Sequence, residues 1–306
     1  MKYDAVLIAG PTASGKSRVA LELALQHHGV VINADSMQVY REARILTARP
    51  TDEDTAIAPH LLYGHVSVDD AYSAGRFQTD AGHALAEARK AHRLPIIAGG
   101  TGLYFGVLTD GLAEIPGVPA LIRRAATERR EQLGDDAFFA ELVARDPETA
   151  NELRASDSQR VIRAYEVLEA TGQPLRYWQT QSGEPLLRGL NLARFVLDVP
   201  RTELRDRIEN RFTQMVEAGA MEEAPDMRDL DPLLPAAKII GRRELIAAHD
   251  GRLTLDGAKN LAVTATRQFA KRQDTWFRNR MADWIRLDAT QPVSNIISQI
   301  DAILAE

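Results

Sequence analysis

Short apolar runs and helix-period patterns take turns along the first hundred residues. The run 5–9, Ala-Val-Leu-Ile-Ala, has no polar position, which predicts a strand covered on both faces. A helical pattern over 16–27 follows it. The run 30–34 repeats the strand signature and stops at Asp35-Ser36. Over 74–91, Phe77, Ala81, Leu85 and Ala88 recur at spacings of three and four, the mark of one buried helix face. A third run at 94–98 ends at Gly99-Gly100-Thr101-Gly102. Strands that alternate with helices predict a parallel sheet with crossover helices.

The rhythm changes near Glu114-Ile115-Pro116-Gly117-Val118-Pro119. For roughly seventy residues afterwards the periodicity is helical and no convincing strand occurs. Residues 193–199 restore a strand and 201–218 a helix. Long helices are expected over 238–249 and 257–279, a last strand over 284–287, and a closing amphipathic helix over 293–304. The expected organisation is therefore an α/β core with a parallel sheet flanked by helices, interrupted by an all-helical insertion. Residues 1–114 form the first part of the core, 115–192 the helical insertion, and 193–306 the second part. No internal repeat or low-complexity tract breaks this pattern.

The junction between the first strand and helix carries the strongest chemical signal. Gly10-Pro11-Thr12-Ala13-Ser14-Gly15-Lys16-Ser17 is G-x-x-x-x-G-K-S between a strand and a helix, a phosphate-binding P-loop in its required context. Its backbone N–H groups form an anion nest at a helix N-terminus. Lys16 supplies a point charge, and the Ser17 hydroxyl can ligate a phosphate-bound Mg²⁺. The core is thus expected to be P-loop NTPase-like. The motif does not say which molecule carries the phosphates.

Ligands of open α/β sheets sit beyond the carboxyl ends of the strands. Asp35 and Thr101 reach that edge. Asp35 comes too early for an ordinary Walker-B acid, and no other strand is expected to end in an apolar run plus Asp near the loop. A carboxylate beside a phosphate site suits a proton acceptor, and equally a turn-forming Asp. Gly99–Gly102 allows close backbone approach, or a strand-to-helix turn with Thr101 as N-cap. Arg207 and Arg211 share a helix face, with Glu203 four residues before Arg207 as a possible partner. Ser156-Asp157-Ser158-Gln159 reads as a capping box with Ser156 as the cap. The helix after it groups Gln159, Arg160 and Arg163, either solvated or aimed at RNA. Arg267, Lys271 and Arg278 fall on one face of a later helix, beside Trp276 and Phe277.

Composition narrows the class. With 45% hydrophobic and 26% charged residues, the chain has ordinary globular proportions. No apolar run is long enough for a membrane span, and the first strand leaves no room for a signal peptide, so a cytoplasmic location is expected. The absence of cysteine excludes disulfides, thiol nucleophiles and cysteine-ligated zinc. A net charge of -6 is mildly unfavourable for a nucleic-acid partner. The charge is uneven, however: between 262 and 286, six Lys and Arg face two Asp. Arginines also cluster at 123–130 and 154–163, and Arg is the better fork for phosphate.

Several blocks together carry a family resemblance. They are GPTASGKS at 10–17, INADSMQVY at 32–40, APHLL at 58–62, YSAGRFQTDA at 72–81 and PIIAGGTGLYF at 95–105. SDSQRVIRAYEV at 156–167, RIENRFTQM at 207–215, KIIGRREL at 238–245 and ATRQFAKRQDTWFRN at 265–279 continue the series. In this order they resemble the bacterial tRNA dimethylallyltransferases over nearly the full length. The resemblance implies transfer of a dimethylallyl group from its diphosphate to N6 of adenosine 37, beside the tRNA anticodon. It places the diphosphate on Gly10–Ser17 with Mg²⁺ at Ser17. Asp35 would take the proton of the attacking amine, Thr101 would touch the reacting region, and Arg211 would join Lys16 on the leaving group. It assigns tRNA contacts to Asp35, Ser36, Met37, Gln38, Thr101, Arg123, Gln159, Arg160, Val161, Ile162, Arg163 and Arg242, with further backbone contacts from 265–279. The expected partners are the anticodon stem-loop of tRNA and dimethylallyl diphosphate, with the chain acting as a monomer.

Two departures accompany it. Family members usually carry Gly-Thr-Ala-Lys-Pro where this chain has Leu46-Thr47-Ala48-Arg49-Pro50, which puts the local backbone in question. Eukaryotic relatives have a C-terminal zinc finger, and this cysteine-free chain corresponds to the bacterial form. The rival readings are a P-loop small-molecule kinase or NTPase using ATP, and an RNA-binding protein with a vestigial loop.

Overall fold

The computed structural model describes residues 2–181 and 183–305. The expected strands and helices form with their ends moved by a few residues at most, apart from the helix expected from 238. In order, the elements are β1 (Ala5–Ala9), α1 (Lys16–Gln26), β2 (Gly29–Asn33), α2 (Asp52–Ile57), β3 (His60–Leu61), α3 (Ala74–Lys90), β4 (Leu94–Gly99) and α4 (Gly102–Thr109). Helices α5 (Ala120–Leu133), α6 (Asp135–Arg145), α7 (Pro147–Ala150), α8 (Ser158–Thr171) and α9 (Leu175–Gln179) follow. The chain continues through β5 (Leu192–Asp198), α10 (Arg201–Glu217), α11 (Ala220–Glu223), α12 (Arg242–His249), α13 (Leu255–Arg280), β6 (Ile285–Asp288) and α14 (Val293–Ala305). Two short 3₁₀ turns precede α12, so the helix expected from 238 starts at Arg242.

The six strands form one sheet in the order β3-β2-β4-β1-β5-β6, every pair parallel. β1, β2 and β4 are buried throughout, as strands covered on both faces must be. Val6, Ile8, Ile96 and Phe195 face a layer built from α1 and α14, where Val19, Leu23, Ile296, Ile297 and Ile300 close the core. Leu7 and Ile97 alternate to the opposite face, and α3 packs against β2 and β4. Among the described residues no helix is long and apolar enough to cross a membrane.

Residues Val107–Leu186 form a compact unit of their own, distinct from the unit of residues 1–106 and 187–306. The sequence reading set these limits at 115 and 192. Val107 and Leu108 are already buried, and Leu187 closes the segment before β5 begins at Leu192. The described part of this unit is helical, and its core gathers Phe138, Leu142, Val161, Ala164 and Val167. The capping box expected at Ser156 does not form. Helix α8 starts two residues later, with Asp157 at its N-cap and no side-chain cap bond.

Candidate active site

The strand order explains how distant segments meet. β1 lies between β4 and β5, and β2 adjoins β4, so the loops after β1, β2 and β4 open at one edge of the sheet. The phosphate loop turns through Ala13 at φ 64° and Gly15 at φ 90°, a left-handed backbone that glycine adopts without strain. The N–H groups of Lys16 and Ser17 start α1 and have no acceptor within the helix. Gly99 ends β4 directly over β2; a Cβ there would come within 2.0 Å of the Ala34 carbonyl oxygen.

A cavity of about 510 Å³ lies over this loop. Thr12, Lys16, Ser17, Asp35, Gln38 and Arg211 are among the residues that line it, with Ala48 and Asn210 on its wall. The volume suits a small ligand. Lys16 is 7% exposed, and its ammonium donates to the Pro11 carbonyl at 3.4 Å. Arg211 donates to Thr12 Oγ1 at 3.1 Å and to the Thr47 carbonyl at 3.4 Å. Neither cation has an ion-pair partner within 4.0 Å among the described residues. Burial lowers the Lys16 pKa to about 8, with Asp35 opposing the shift and Arg211 adding to it. Burial also lowers Arg211, again against the pull of Asp35.

Asp35 is held from both sides. Its N–H donates to Asn33 Oδ1 at 2.8 Å, and its carboxylate Oδ1 accepts from Met37 N–H at 3.0 Å. The buried Asn33 amide also ties the Asp35 and Leu62 carbonyls together. Carboxylate Oδ2 has no hydrogen-bond donor among the described residues, so one oxygen is left for another group. Thr101 Oγ1 accepts from Ser36 N–H at 2.9 Å and donates to Ser36 Oγ at 3.2 Å, locking the two turns to each other.

The segment 45–50 answers the question raised by its missing glycine. Leu46 does not have a positive φ; the left-handed residue is Ala48, at φ 48°. The Leu46 side chain is buried against the space beside Gly241. Glu223 accepts the N–H groups of Ile45 and Leu46 at 2.7 and 2.8 Å, and Gln38 donates to the carbonyls of Thr47 and Ala48. The Thr47 carbonyl is thereby aimed at Arg211.

Other predicted residues are placed differently. Arg207 is tied to Glu203, to the Ser14 carbonyl and to the Ala289 carbonyl at 2.7 Å, so it braces the loop from behind. Arg242 is buried, with its guanidinium on the carbonyls of Met227 and Ala237, and is no surface cation. Val161 lies in the core of the helical unit, while Gln159 and Arg160 are exposed and Ile162 is half-buried. Arg123 and Arg163 flank the buried Glu166 at 3.9 and 3.7 Å. Arg267 pairs with Glu209 and Arg278 with Asp274, while Phe277 is core. β5 also ends in an apolar run followed by Asp198 and pairs with β1, contrary to expectation. Arg286 engages that carboxylate at 3.0 Å.

Sequence reasoning missed Glu223 and Gln273. Gln273 is buried on α13, accepts from Thr12 N–H at 2.9 Å and donates to the Gly100 carbonyl at 2.8 Å. The available signal was a polar residue at 273 on the helix face that buries Ala262, Ala270 and Phe277.

Hard oxygen donors suit Mg²⁺, and the cavity offers the Ser17 hydroxyl and the Asp35 carboxylate. Among the described residues no cluster of three or more His, Cys, Asp or Glu forms a dedicated metal cage. That donor set fits an ion carried mainly by phosphate oxygens and water.

Comparison with known proteins covers most of the chain. The family model described as IPP transferase matches residues 38–280, and one described as isopentenyl transferase matches residues 3–61. The tRNA dimethylallyltransferase of Chelativorans sp. (strain BNC1) is 47% identical, over 93% of this chain and 98% of its own. That of Dinoroseobacter shibae is 50% identical, over 91% and 93%. The full-length tRNA isopentenylpyrophosphate transferase of Bacillus halodurans superposes with a TM-score of 0.70 at 32% identity, covering 99% of this chain and 96% of that one. A eukaryotic dimethylallyltransferase acting on tRNA gives a TM-score of 0.76 at 27% identity, covering 93% and 73%.

Proposed function

The chain belongs to the IPP transferase family, and on that footing we propose that it transfers a dimethylallyl group from dimethylallyl diphosphate to N6 of adenosine 37 in tRNA. It is a tRNA-modifying prenyltransferase, and diphosphate is its leaving group. The observation that carries the reading is the pairing of a buried lysine and a half-buried arginine with one half-free carboxylate around a single phosphate loop.

Adenine N6 is a weak nucleophile stacked in a loop, so the base must be extruded to reach the cavity. Its lone pair forms the new N–C bond while the allylic C–O bond breaks and its electrons leave with the diphosphate. Asp35 Oδ2 receives the amine proton, a role that needs an oxygen not already occupied by donors. Negative charge growing on the leaving group meets Lys16, Arg211 and the N–H groups at the start of α1, all fixed before reaction begins. Thr101 fixes Ser36 and so the turn that carries Asp35. Ser17 would hold Mg²⁺, which when bound supplies further charge neutralisation on the diphosphate.

Contacts to the anticodon stem-loop belong to the Asp35–Gln38 turn and to Arg123, Gln159, Arg160 and Arg163 of the helical unit. Val161 and Arg242 act from the interior, through packing and carbonyl clamping. We propose that the enzyme works in the cytoplasm as a monomer. Incubation with tRNA and either labelled dimethylallyl diphosphate or γ-labelled ATP tests the reading. Label enters tRNA from the prenyl donor; transfer of label from ATP with none from the prenyl donor would overturn it.

A further inference from the structure

Gln273 has a position that the reaction scheme above does not use. It lies on α13, more than two hundred and fifty residues along the chain from the loop it touches. Its side chain is 5% exposed, and both ends of its amide are engaged. Oε1 takes the N–H of Thr12 at 2.9 Å, and Nε2 gives a hydrogen to the Gly100 carbonyl at 2.8 Å. One rigid amide therefore ties the phosphate loop to the turn after β4. Space there is tight: a Cβ on Gly100 would lie 2.3 Å from Gln273 Nε2 and 3.3 Å from Asp35 Oδ2.

Each end of this bridge leads to a reacting group. Thr12 accepts from the Arg211 guanidinium, so fixing its backbone fixes the hydroxyl that aims Arg211. Gly100 precedes Thr101, which locks Ser36 and with it the Asp35 turn. A buried amide that lost one partner would leave a polar group unsatisfied, so the two bonds hold or fail together. We propose that Gln273 is a positioning residue that sets the separation between the leaving-group side and the proton-acceptor side of the cavity. This rests on the prenyl-transfer reading for its activity readout. The geometry itself is independent of that reading. A misplacement of about 1 Å between reacting groups can cost 10²-fold in rate.

Three measurements on Gln273→Met, Gln273→Glu and the native protein decide the matter: single-turnover transfer from dimethylallyl diphosphate to tRNA, tRNA affinity, and hydrogen exchange at Thr12. For Gln273→Met we expect the transfer rate to fall about 10–10²-fold with tRNA affinity unchanged. The Thr12 amide should lose its protection. Gln273→Glu keeps the acceptor for Thr12 but offers a donor to Gly100 only when protonated. Its deficit relative to the native protein should therefore narrow as pH falls, an effect that simple loss of packing does not produce. Should the Met variant fail to fold, the Glu variant decides alone. A native rate in either folded variant, or a Glu deficit that does not change with pH, would overturn the proposal. If the native protein transfers no prenyl group, the functional reading fails instead. Unchanged Thr12 exchange in Gln273→Met would then still refute the bridge.

Discussion

Lys16 lies buried and Arg211 half-buried beside the phosphate loop, with Asp35 as the charge that acts against their desolvation. The cations of the 107–186 unit are held otherwise. There Arg129 pairs with Glu141, Arg130 with Asp135, Arg145 with Glu169 and Arg160 with Asp157, while Arg123 and Arg163 flank Glu166. The contrast separates two meanings of a positive side chain. Exposed ion pairs contribute about 0–1 kcal/mol each and need no ligand to explain them. A buried cation on neutral acceptors costs stability in the free protein, and a bound anion offsets that cost. The burial of Lys16 therefore favours a bound anion in the cavity. In the helical unit Arg129, Arg130, Arg145 and Arg160 sit in such exposed pairs, whereas Arg123 and Arg163 face a carboxylate that is itself buried.

Experiments can break this contrast at several points. Asp35→Asn removes the charge that opposes both cations and the oxygen that takes the proton. Single-turnover transfer should fall about 10²–10⁴-fold with inorganic diphosphate still bound; a rate near the native one would contradict the assigned role. Lys16→Met should weaken diphosphate binding in calorimetry by about 10²-fold while raising the ligand-free unfolding free energy by about 1–3 kcal/mol. A variant that is less stable, or binds diphosphate normally, would show that Lys16 is not held at a cost.

The pH dependence follows from the same burial. With its pKa near 8, Lys16 is charged below that value and neutral above it in the free protein. Diphosphate favours the charged form, so binding at pH 8.5 takes up protons. Affinity should fall up to ~10-fold per pH unit as pH rises above 8. Binding heats at pH 8.5 that do not vary with buffer ionisation enthalpy would refute this. Across the comparison, Arg163→Ala should weaken tRNA binding about 3–10-fold and reduce its salt slope by about one. Diphosphate affinity should be untouched, and equal damage to both would mean that the two regions do not divide the substrates.

The central strands were legible because a strand buried on both faces writes itself as an unbroken apolar run, as 5–9 and 94–98 do. The phosphate loop was legible because its spacing and flanks are local. Elements that bury little left no such trace. Helix α2 buries none of its residues, and β3 is two residues long. The box expected at Ser156 failed because the helix begins beyond it, at Ser158. Polar residues whose partners are far along the chain were the hardest to place. Glu223 clamps Ile45 and Leu46, Gln273 joins Thr12 to Gly100, and Arg242 serves interior carbonyls. Each looks like an ordinary helical polar residue until the fold supplies its partner. Arg211 belonged to the same class, since helical spacing linked it to Arg207 and gave no hint of Thr12 or Thr47.

The central claim is that the phosphates gripped at Gly10–Ser17 depart and the carbon group stays. A mass spectrum of tRNA nucleosides after incubation with the enzyme, Mg²⁺ and dimethylallyl diphosphate reads this directly. The account predicts an adenosine carrying one dimethylallyl group, formed together with free diphosphate and absent when Asp35 is replaced by Asn. Unmodified nucleosides from an accepting tRNA, with ATP consumed in place of the prenyl donor, would contradict it.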